Sequence, residues 1–490
     1  MARGGTLSDQ RTGQAVSSGM PSPPLEPDPT GLRALTEVCT AFVLEQVTTL
    51  TDQPASDLDG VDEVSASFDE DPPEDGGDLE TLLGRLRPAI AKSYNTAGPG
   101  YLAYIPGGGV YASALADFVA AAVNRYVGVS AAAPALSRLE ETAVGWLARL
   151  MGYPETARGI LTSGGSLSNF SAVVTARTAR LGEDFLRGTI YVSSETHHSV
   201  AKAARLAGFP QSALRVLPVD ARLRLLPEAL EEAVRADRER GRQPFLVVAS
   251  VGTTNTGAVD PLADVLAVAR RHHLWVHADA AYGGFFRLAP GGEGLMPGIE
   301  DCDSITLDPH KGLFMPYGLG CLLVRDGEAL RRAHRETASY MQDLAPGQGH
   351  GFADLSPELS RDFRGLRLWL PLKLHGIGAF RAQLAEKLAL ARLAWEELRD
   401  EPRFEMIDEP QLSVVAFRLR GPAEAADRAG AELLRRVNAR RRVFLSSTRI
   451  EGRHVIRICV LSFRTHEDRV RDAVQALKEE ARALLPVGVG

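Results

Sequence analysis

The chain has 490 residues, of which 44% are hydrophobic and 24% charged, and a formal net charge of −7. That length accommodates two or three domains with substantial cores, and the acidic balance leaves no electrostatic footprint for nucleic acid. Four cysteines in so long a chain make neither a disulfide framework nor a metal-ligand spacing. No stretch reads as a bilayer span or a signal peptide, so the expected setting is reducing and cytoplasmic, with no membrane partner.

In chain order, residues 1–30 are rich in Ser, Gly and Pro and read as a disordered tail. A helical spacing of apolar residues begins at Leu32. Residues 51–80 hold twelve acids and no Lys or Arg, an exposed connection that ends in a helix capped by Asp78. YLAYIPGGG, from Tyr101 to Gly109, reads as a segment entering a site or an interface. Two amphipathic helical patterns lie between Ala112 and Met151. A strand and a glycine turn follow from Gly159 to Ser166, then a helix over Leu167 to Leu181. TIYVSS, a helix from Ser199, LRVLPV and a helix from Pro227 to Arg240 continue the alternation, which predicts a largely parallel sheet covered by helices.

Between Phe245 and Val324 come four short apolar runs, FLVVAS, LWVHAD, SITLD and GCLLV, which read as strands buried on both faces. After Gly365 the pattern changes to a long helical stretch with Pro371 inside it, then SVVAFRLR, a helix and HVIRICVLSF. The expected organisation is a tail (1–30), an N-terminal helical segment (31–110), a large α/β domain (111–370) and a small α+β domain (371–490). The arginines Arg435, Arg436, Arg440, Arg441 and Arg442 read as a solvated helix face and loop.

The chemistry-bearing residues sit at strand ends, where open α/β sheets collect ligands. Thr162-Ser163-Gly164-Gly165-Ser166 joins a strand to a helix. Its glycines allow close approach, and the free N–H groups of Gly165 and Ser166 suit a phosphate. LWVHAD delivers Asp279, and SITLD leads at once into Pro309-His310-Lys311. Pro309 forces Asp308 to be extended. A carboxylate and a lysine at one sheet edge point to pyridoxal phosphate, whose aldehyde needs an amine and whose pyridinium nitrogen needs an acid. Lys311 is then the Schiff-base amine, and His310 contacts the phosphate or the substrate carboxylate. The pair His197 and His198 lacks a set of further metal ligands, and stacking on an aromatic cofactor is the better reading.

GGSLSN, ETHHSVAKAA, VGTTNTGAVD, HADAAYGG and DPHK, in this order and spacing, resemble the group II pyridoxal-phosphate-dependent amino-acid decarboxylases, and among them the aromatic-L-amino-acid decarboxylases. The resemblance runs from about Tyr101 to Phe463. It implies a fold-type-I, PLP-dependent transferase-like architecture with a mostly parallel, seven-stranded-type sheet and a small C-terminal domain. It also implies a homodimer in which the N-terminal segment wraps the partner. By motif, Lys311 would bind the cofactor covalently, Asp279 would pair with its pyridine nitrogen and His197 would stack on its ring. Gly165 and Ser166 would hold the phosphate, with Thr254, Ala281, Asp308 and His310 also at the cofactor. Tyr104 and Gly107 would line the substrate entrance, and Arg457 would lie near the substrate carboxylate.

Three positions depart from the family pattern. Gly107 follows Ile-Pro where several members have Thr after Phe-Pro, and Asp308 replaces an Asn common before Pro-His-Lys. In the loop from Ser339 to Leu359, Phe352 falls where the decarboxylases place a catalytic tyrosine, the only loop tyrosine being Tyr340. The expected reaction is α-decarboxylation of an L-amino acid, most consistent with an aromatic one, to amine and carbon dioxide. The alternatives are an aldehyde-forming decarboxylation with oxidative deamination, motivated by Phe352, or a nonstandard or acidic substrate. A catalytically inactive cofactor-binding protein is a third reading, which the intact Lys311, Asp279 and phosphate turn oppose.

Overall fold

The computed structural model describes residues 25–336 and 351–485. These residues divide into two compact units, one formed by those up to 49 together with 60–90, the other by 50–59 and those from 91 onward.

The first unit holds α1 (Pro29–Thr48), α2 (Val61–Ala66) and α3 (Leu79–Ala91). Asp28 caps α1 by accepting from Gly31 N at 2.7 Å, and Asp78 accepts from Thr81 N at 2.9 Å as the sequence predicts. Arg85 forks onto Glu70 at 3.1 and 3.2 Å. None of the residues of these helices is buried, although α1 and α3 carry Leu35, Val43, Leu82 and Leu86.

The second unit begins with α4 (Tyr111–Val123) and α5 (Pro134–Leu150) and then builds the main sheet. Its elements are β1 (Arg158–Thr162), α6 (Gly165–Arg180), β2 (Gly188–Ser193), α7 (His198–Leu206), β3 (Leu214–Leu217), α8 (Pro227–Glu239) and β4 (Gln243–Ser250). They continue with α9 (Leu262–His272), β5 (Trp275–Asp279), β6 (Ser304–Leu307), α10 (Pro309–Gly312), β7 (Gly320–Val324) and α11 (Gly327–His334). The strand order is β1-β7-β6-β5-β4-β2-β3. The expected burial on both faces holds. Along β4, Val247 and Ala249 pack on one side with Val276 and Ile305, while Leu246 and Val248 pack on the other with Ile190 and Trp275.

The sheet is parallel except for β7, which runs antiparallel to both β1 and β6. Twelve residues separate Leu307 from Gly320, and their single helical turn cannot carry the chain back across a sheet face. The chain therefore reverses at the sheet edge, and Lys311 sits in the reversal.

Beyond Phe352, α12 (Arg364–Arg399) leads to a second sheet of β8 (Phe404–Met406), β9 (Val414–Leu419), β10 (Ser446–Ile450) and β11 (Arg453–Cys459), with α13 (Ala423–Ala439) and α14 (Glu467–Leu484). Its order is β10-β11-β9-β8, all antiparallel, and it has its own apolar core around Phe404, Phe417, Leu433 and Leu477. Sequence reading found β9 and β11 but not β8 or β10. The SSTRI run of β10 exposes Ser447 and Arg449 and lacks an apolar signal. Helix α12 tolerates Pro371 and breaks instead at Gly376 (φ 72, ψ 152), a conformation that favours glycine. The arginine cluster is solvated and paired, with Arg435 on Glu432 and Arg440 on Glu479 and Glu480. Among the described residues, no helix is long and apolar enough to cross a membrane.

One buried ion pair fastens the helices under β1. Glu140 on α5 and Arg361 have fully buried side chains with Oε1 and Nη1 2.6 Å apart, and Gly365 N donates to Glu140 Oε2 at 2.9 Å. Burial pushes the Glu140 carboxyl up, opposed by Arg361 and the Gly365 N–H. Arg361 and Arg364 each donate to Leu161 O at 3.1 Å, one residue before the end of β1. Glu140→Ala leaves a buried guanidinium without its partner and is expected to cost about 3–5 kcal/mol. Denaturant unfolding measures this, and a loss below about 1 kcal/mol would show the pair to be dispensable.

Candidate functional site

The C-terminal ends of β1, β4, β5 and β6 converge on a cavity of about 270 Å3. The phosphate turn forms one wall. Gly164 precedes α6 with φ 155 and ψ 174, a conformation that only glycine adopts readily. Thr162 Oγ1 braces the turn, contacting Ser168 Oγ at 2.8 Å and accepting from Gly164 N at 3.3 Å. The chain then enters α6 at Gly165 and Ser166, where unpaired N–H groups and the helix dipole favour an anion.

Asp279 ends β5, in register with Ser250 of β4 and Thr306 of β6. It is 8% exposed, and a buried carboxylate needs partners. Asn169 Nδ2 donates to Asp279 Oδ2 at 2.9 Å and to Ser199 Oγ at 2.9 Å. The Asn169 Oδ1 accepts from Thr306 Oγ1 at 2.8 Å and lies 3.0 Å from His277 Nε2. Burial holds His277 down at about 4, so its imidazole stays neutral. Sequence reading missed Asn169, Thr306 and His277. Asn169 was visible inside GGSLSN, but nothing in the sequence places it against a strand 110 residues away.

His197 caps α7, with Nδ1 2.8 Å from Ser199 Oγ, and lies in the cavity wall. Burial lowers its pKa, although the Asp279 charge opposes the shift. Its ring sits 4.2 Å from that of His198. His310 is tied through Nδ1 to Leu319 O at 2.7 Å, and burial lowers its pKa too. Asp308 is extended (φ −117, ψ 95), as Pro309 requires. Lys311 Nζ lies 2.9 Å from Asp308 Oδ2. Burial works against the Lys311 ammonium, but the charges of Asp308 and Asp279 outweigh it and raise its pKa.

Of the expected cofactor residues, Gly165, Ser166, His197, Thr254, Asp279, Ala281, Asp308, His310 and Lys311 all line this cavity. They also fit pyridoxal phosphate. A side-chain carbon on Gly165 would meet Asp308 Oδ2 at 3.0 Å and Ala281 Cβ at 3.2 Å, so the cradle is closed to any larger residue. Gly107 lies beside it: its N–H faces Tyr317 Oη at 3.3 Å, and an added carbon would touch His310 O at 3.0 Å. Tyr317, half-exposed and 5.8 Å from the His310 ring, is a neighbour that sequence reading overlooked.

Three expectations end elsewhere. Arg457 is buried and does not line the cavity. Its guanidinium donates to Asn255 O at 2.9 Å, Tyr104 O at 3.2 Å and Thr254 O, and to Ser446 Oγ at 3.2 Å. With its donors engaged this way it positions the Thr254 loop and the Tyr104 segment instead of facing a substrate. Tyr104 itself is half-exposed, with φ 53, outside the cavity wall. Phe352 is 1% exposed, packed with Ile160 and Leu322 beneath the sheet, and its ring lies 5.0 Å from the Arg361 guanidinium. Its apolar ring is worth more in that core than in a polar loop. Tyr340 lies outside the described residues.

Residues 62–420 match the family model described as the pyridoxal-dependent decarboxylase conserved domain. An aromatic-L-amino-acid decarboxylase from Bacillus atrophaeus is 32% identical, over 91% of this chain and 95% of that one. Phenylacetaldehyde synthase from Arabidopsis thaliana is 29% identical, over 83% and 86% respectively. The solved structure of Oryza sativa TDC with PLP and tryptamine superimposes with a TM-score of 0.89 at 28% identity, covering 93% of this chain and 98% of that one. The lysine, the acid and the glycine turn thus converge in a fold shared with known pyridoxal-phosphate enzymes, and the chain belongs to the pyridoxal-dependent decarboxylase family, as a PLP-dependent amino-acid decarboxylase of fold type I.

Proposed function

We propose that this enzyme removes the α-carboxyl group of an aromatic L-amino acid as carbon dioxide and releases the amine, acting as a cytoplasmic homodimer. The observation that carries the reading is the meeting of Lys311, Asp279 and the Gly164–Ser166 turn in one cavity. Pyridoxal phosphate, when bound, supplies an aldehyde for amines and a cationic ring that accepts electrons from the substrate Cα.

The chain's own residues do the rest. The N–H groups of Gly165 and Ser166 would hold the phosphate at the start of α6. Asp279, oriented by Asn169, would keep the proton on the pyridine nitrogen, where preorganised charge counts most. Lys311 would supply the amine that anchors the cofactor and yields it to the substrate. His197, neutral and fixed by Ser199, would cover the ring face without adding charge. Gly107, packed against Tyr317 and the His310 carbonyl where no side chain fits, would line the substrate entrance through its backbone. The aromatic substrate class is supported by the Bacillus atrophaeus relative's name and by the tryptamine in the Oryza sativa structure.

The dimer is supported by apolar surface. Leu115, Phe118, Val119 and Val123 on α4 are all more than 40% exposed, and a contiguous apolar face of that kind marks a contact surface. The division into an N-terminal segment, a large domain and a small domain near residues 110 and 370 belongs to the same reading. A second reaction outcome, aldehyde formation with oxygen uptake, is kept because a relative is named phenylacetaldehyde synthase.

Purified, cofactor-loaded enzyme tested against all proteinogenic L-amino acids is expected to release carbon dioxide and an amine from aromatic substrates without consuming oxygen. Aldehyde with oxygen uptake would establish the second outcome instead. Lys311→Ala should abolish turnover together with the visible absorbance of the bound cofactor, and retained turnover would end the assignment. Asp279→Asn should lower kcat by about 10²–10³, the range for one lost electrostatic contact to developing charge. Sedimentation should give twice the 52.7 kDa of one chain, and a monomer that keeps full activity would refute the dimer.

A further inference from the structure

Asp308 carries a charge in a place where phosphate binding has no use for one. It is 1% exposed, and as the residue preceding α10 it makes no side-chain capping bond. One carboxylate oxygen, Oδ2, lies 2.9 Å from Lys311 Nζ and 3.7 Å from His310 Nε2. The other, Oδ1, has no hydrogen-bond partner. Both oxygens face Gly165 of the phosphate turn, at 3.0 and 3.4 Å from where a side-chain carbon on that glycine would lie. A buried anion with one unpaired oxygen is costly, and beside an anion-binding turn it opposes the ligand. Lys311 is the group it favours.

We propose that Asp308 is a latch on Lys311: it holds the amine in its charged, unreactive form before the cofactor arrives, and so sets the rate and pH range of cofactor capture. This rests on the family's cofactor and not on which amino acid the enzyme accepts. Capture joins Nζ to the aldehyde carbon. The lone pair of the neutral amine forms the C–N bond, its two protons leave with the carbonyl oxygen as water, and C=N replaces C=O with no oxidation or reduction. An ammonium has no lone pair, so one proton must first pass to solvent.

The groups facing the amine come from several elements. Asp308 and His310 share its turn, Asp279 comes from β5, His197 from the start of α7, and Tyr317 from the connection to β7. Burial disfavours charge on both imidazoles, so the two carboxylates are the counter-charges. Asp279 is already engaged by Asn169 Nδ2 and by Ala281 N. Asp308 alone of the two is in direct contact with Nζ.

The test uses full-length apoprotein, wild type and the near-isosteric Asp308→Asn. Each is mixed with pyridoxal 5′-phosphate, and separately with pyridoxal, which lacks the phosphate. Visible absorbance is followed from about pH 6 to about pH 10, a range that approaches the ordinary lysine pKa. Losing an opposite charge at this distance lowers a pKa by about one unit or more. Asp308→Asn is therefore expected to capture either aldehyde about tenfold faster or more near neutral pH, with the rising limb of its profile moved to lower pH. Unchanged or slower capture would overturn the latch. Acceleration with pyridoxal 5′-phosphate but not with pyridoxal would overturn it too, because the carboxylate would then act on the phosphate alone. The wild-type profile tests the idea without any variant: its capture rate should still be climbing at about pH 9, and a plateau below about pH 8 would contradict it.

Discussion

The site depends on two backbones coming closer than side chains allow. Strand β7 inserts antiparallel between β1 and β6, and at its start Gly320 lies against Gly164, so close that an added carbon would fall 2.6 Å from Gly164 Cα. That contact brings the turn after β1 beside the turn after β6, and with it the anion-binding N–H groups beside Lys311. A side chain at Gly320 would push β7 from β1 and open the cradle at its base. The conformation of Gly164, open only to glycine, is the other half of the same constraint.

Around that contact the polar groups form two layers. Nearest the cavity, Asp279 and Asp308 face one lysine, and each is held differently. Asp279 is engaged by neutral donors that orient it without removing its charge, whereas Asp308 is balanced by the lysine itself. Behind them, Arg361 and Arg364 grip Leu161 O, so the end of β1 is anchored to the segment that leads into α12. Glu140 offsets the charge of that grip. Buried ion pairs are weak sources of net stability, and this one is better understood as fixing where the phosphate turn begins.

Arg457 and Phe352 show in physical terms what motif matching leaves open. Arginine is chosen both for carboxylate binding and for tying carbonyls together, and its place in β11 cannot say which. The carbonyls of Tyr104, Thr254 and Asn255 decide it, and they come from segments more than 200 residues away in the chain. Phe352 was read from its position in a loop, yet an apolar ring next to a sheet face is drawn into the core. Loop registers carry no periodicity to correct such a reading, whereas strands do.

What the amino-acid sequence determined by itself was whatever rests on local pattern. The buried strands follow from continuous apolar runs, the phosphate turn from glycines between a strand and a helix, and the extended Asp308 from Pro309. Lys311 and Asp279 followed from their place at strand ends, and the cofactor from their pairing. The tertiary structure decided what depends on distance across the chain. It set the reversed direction of β7, because the connection after β6 holds only one helical turn and cannot carry the chain back across a sheet face. It set the Asn169 network behind Asp279, because a hydrogen bond between α6 and β5 has no local signature. It also gave Asp308 its character, since an aspartate in sequence is only a charge, and burial against Lys311 and Gly165 makes it one that must be neutralised by a specific neighbour.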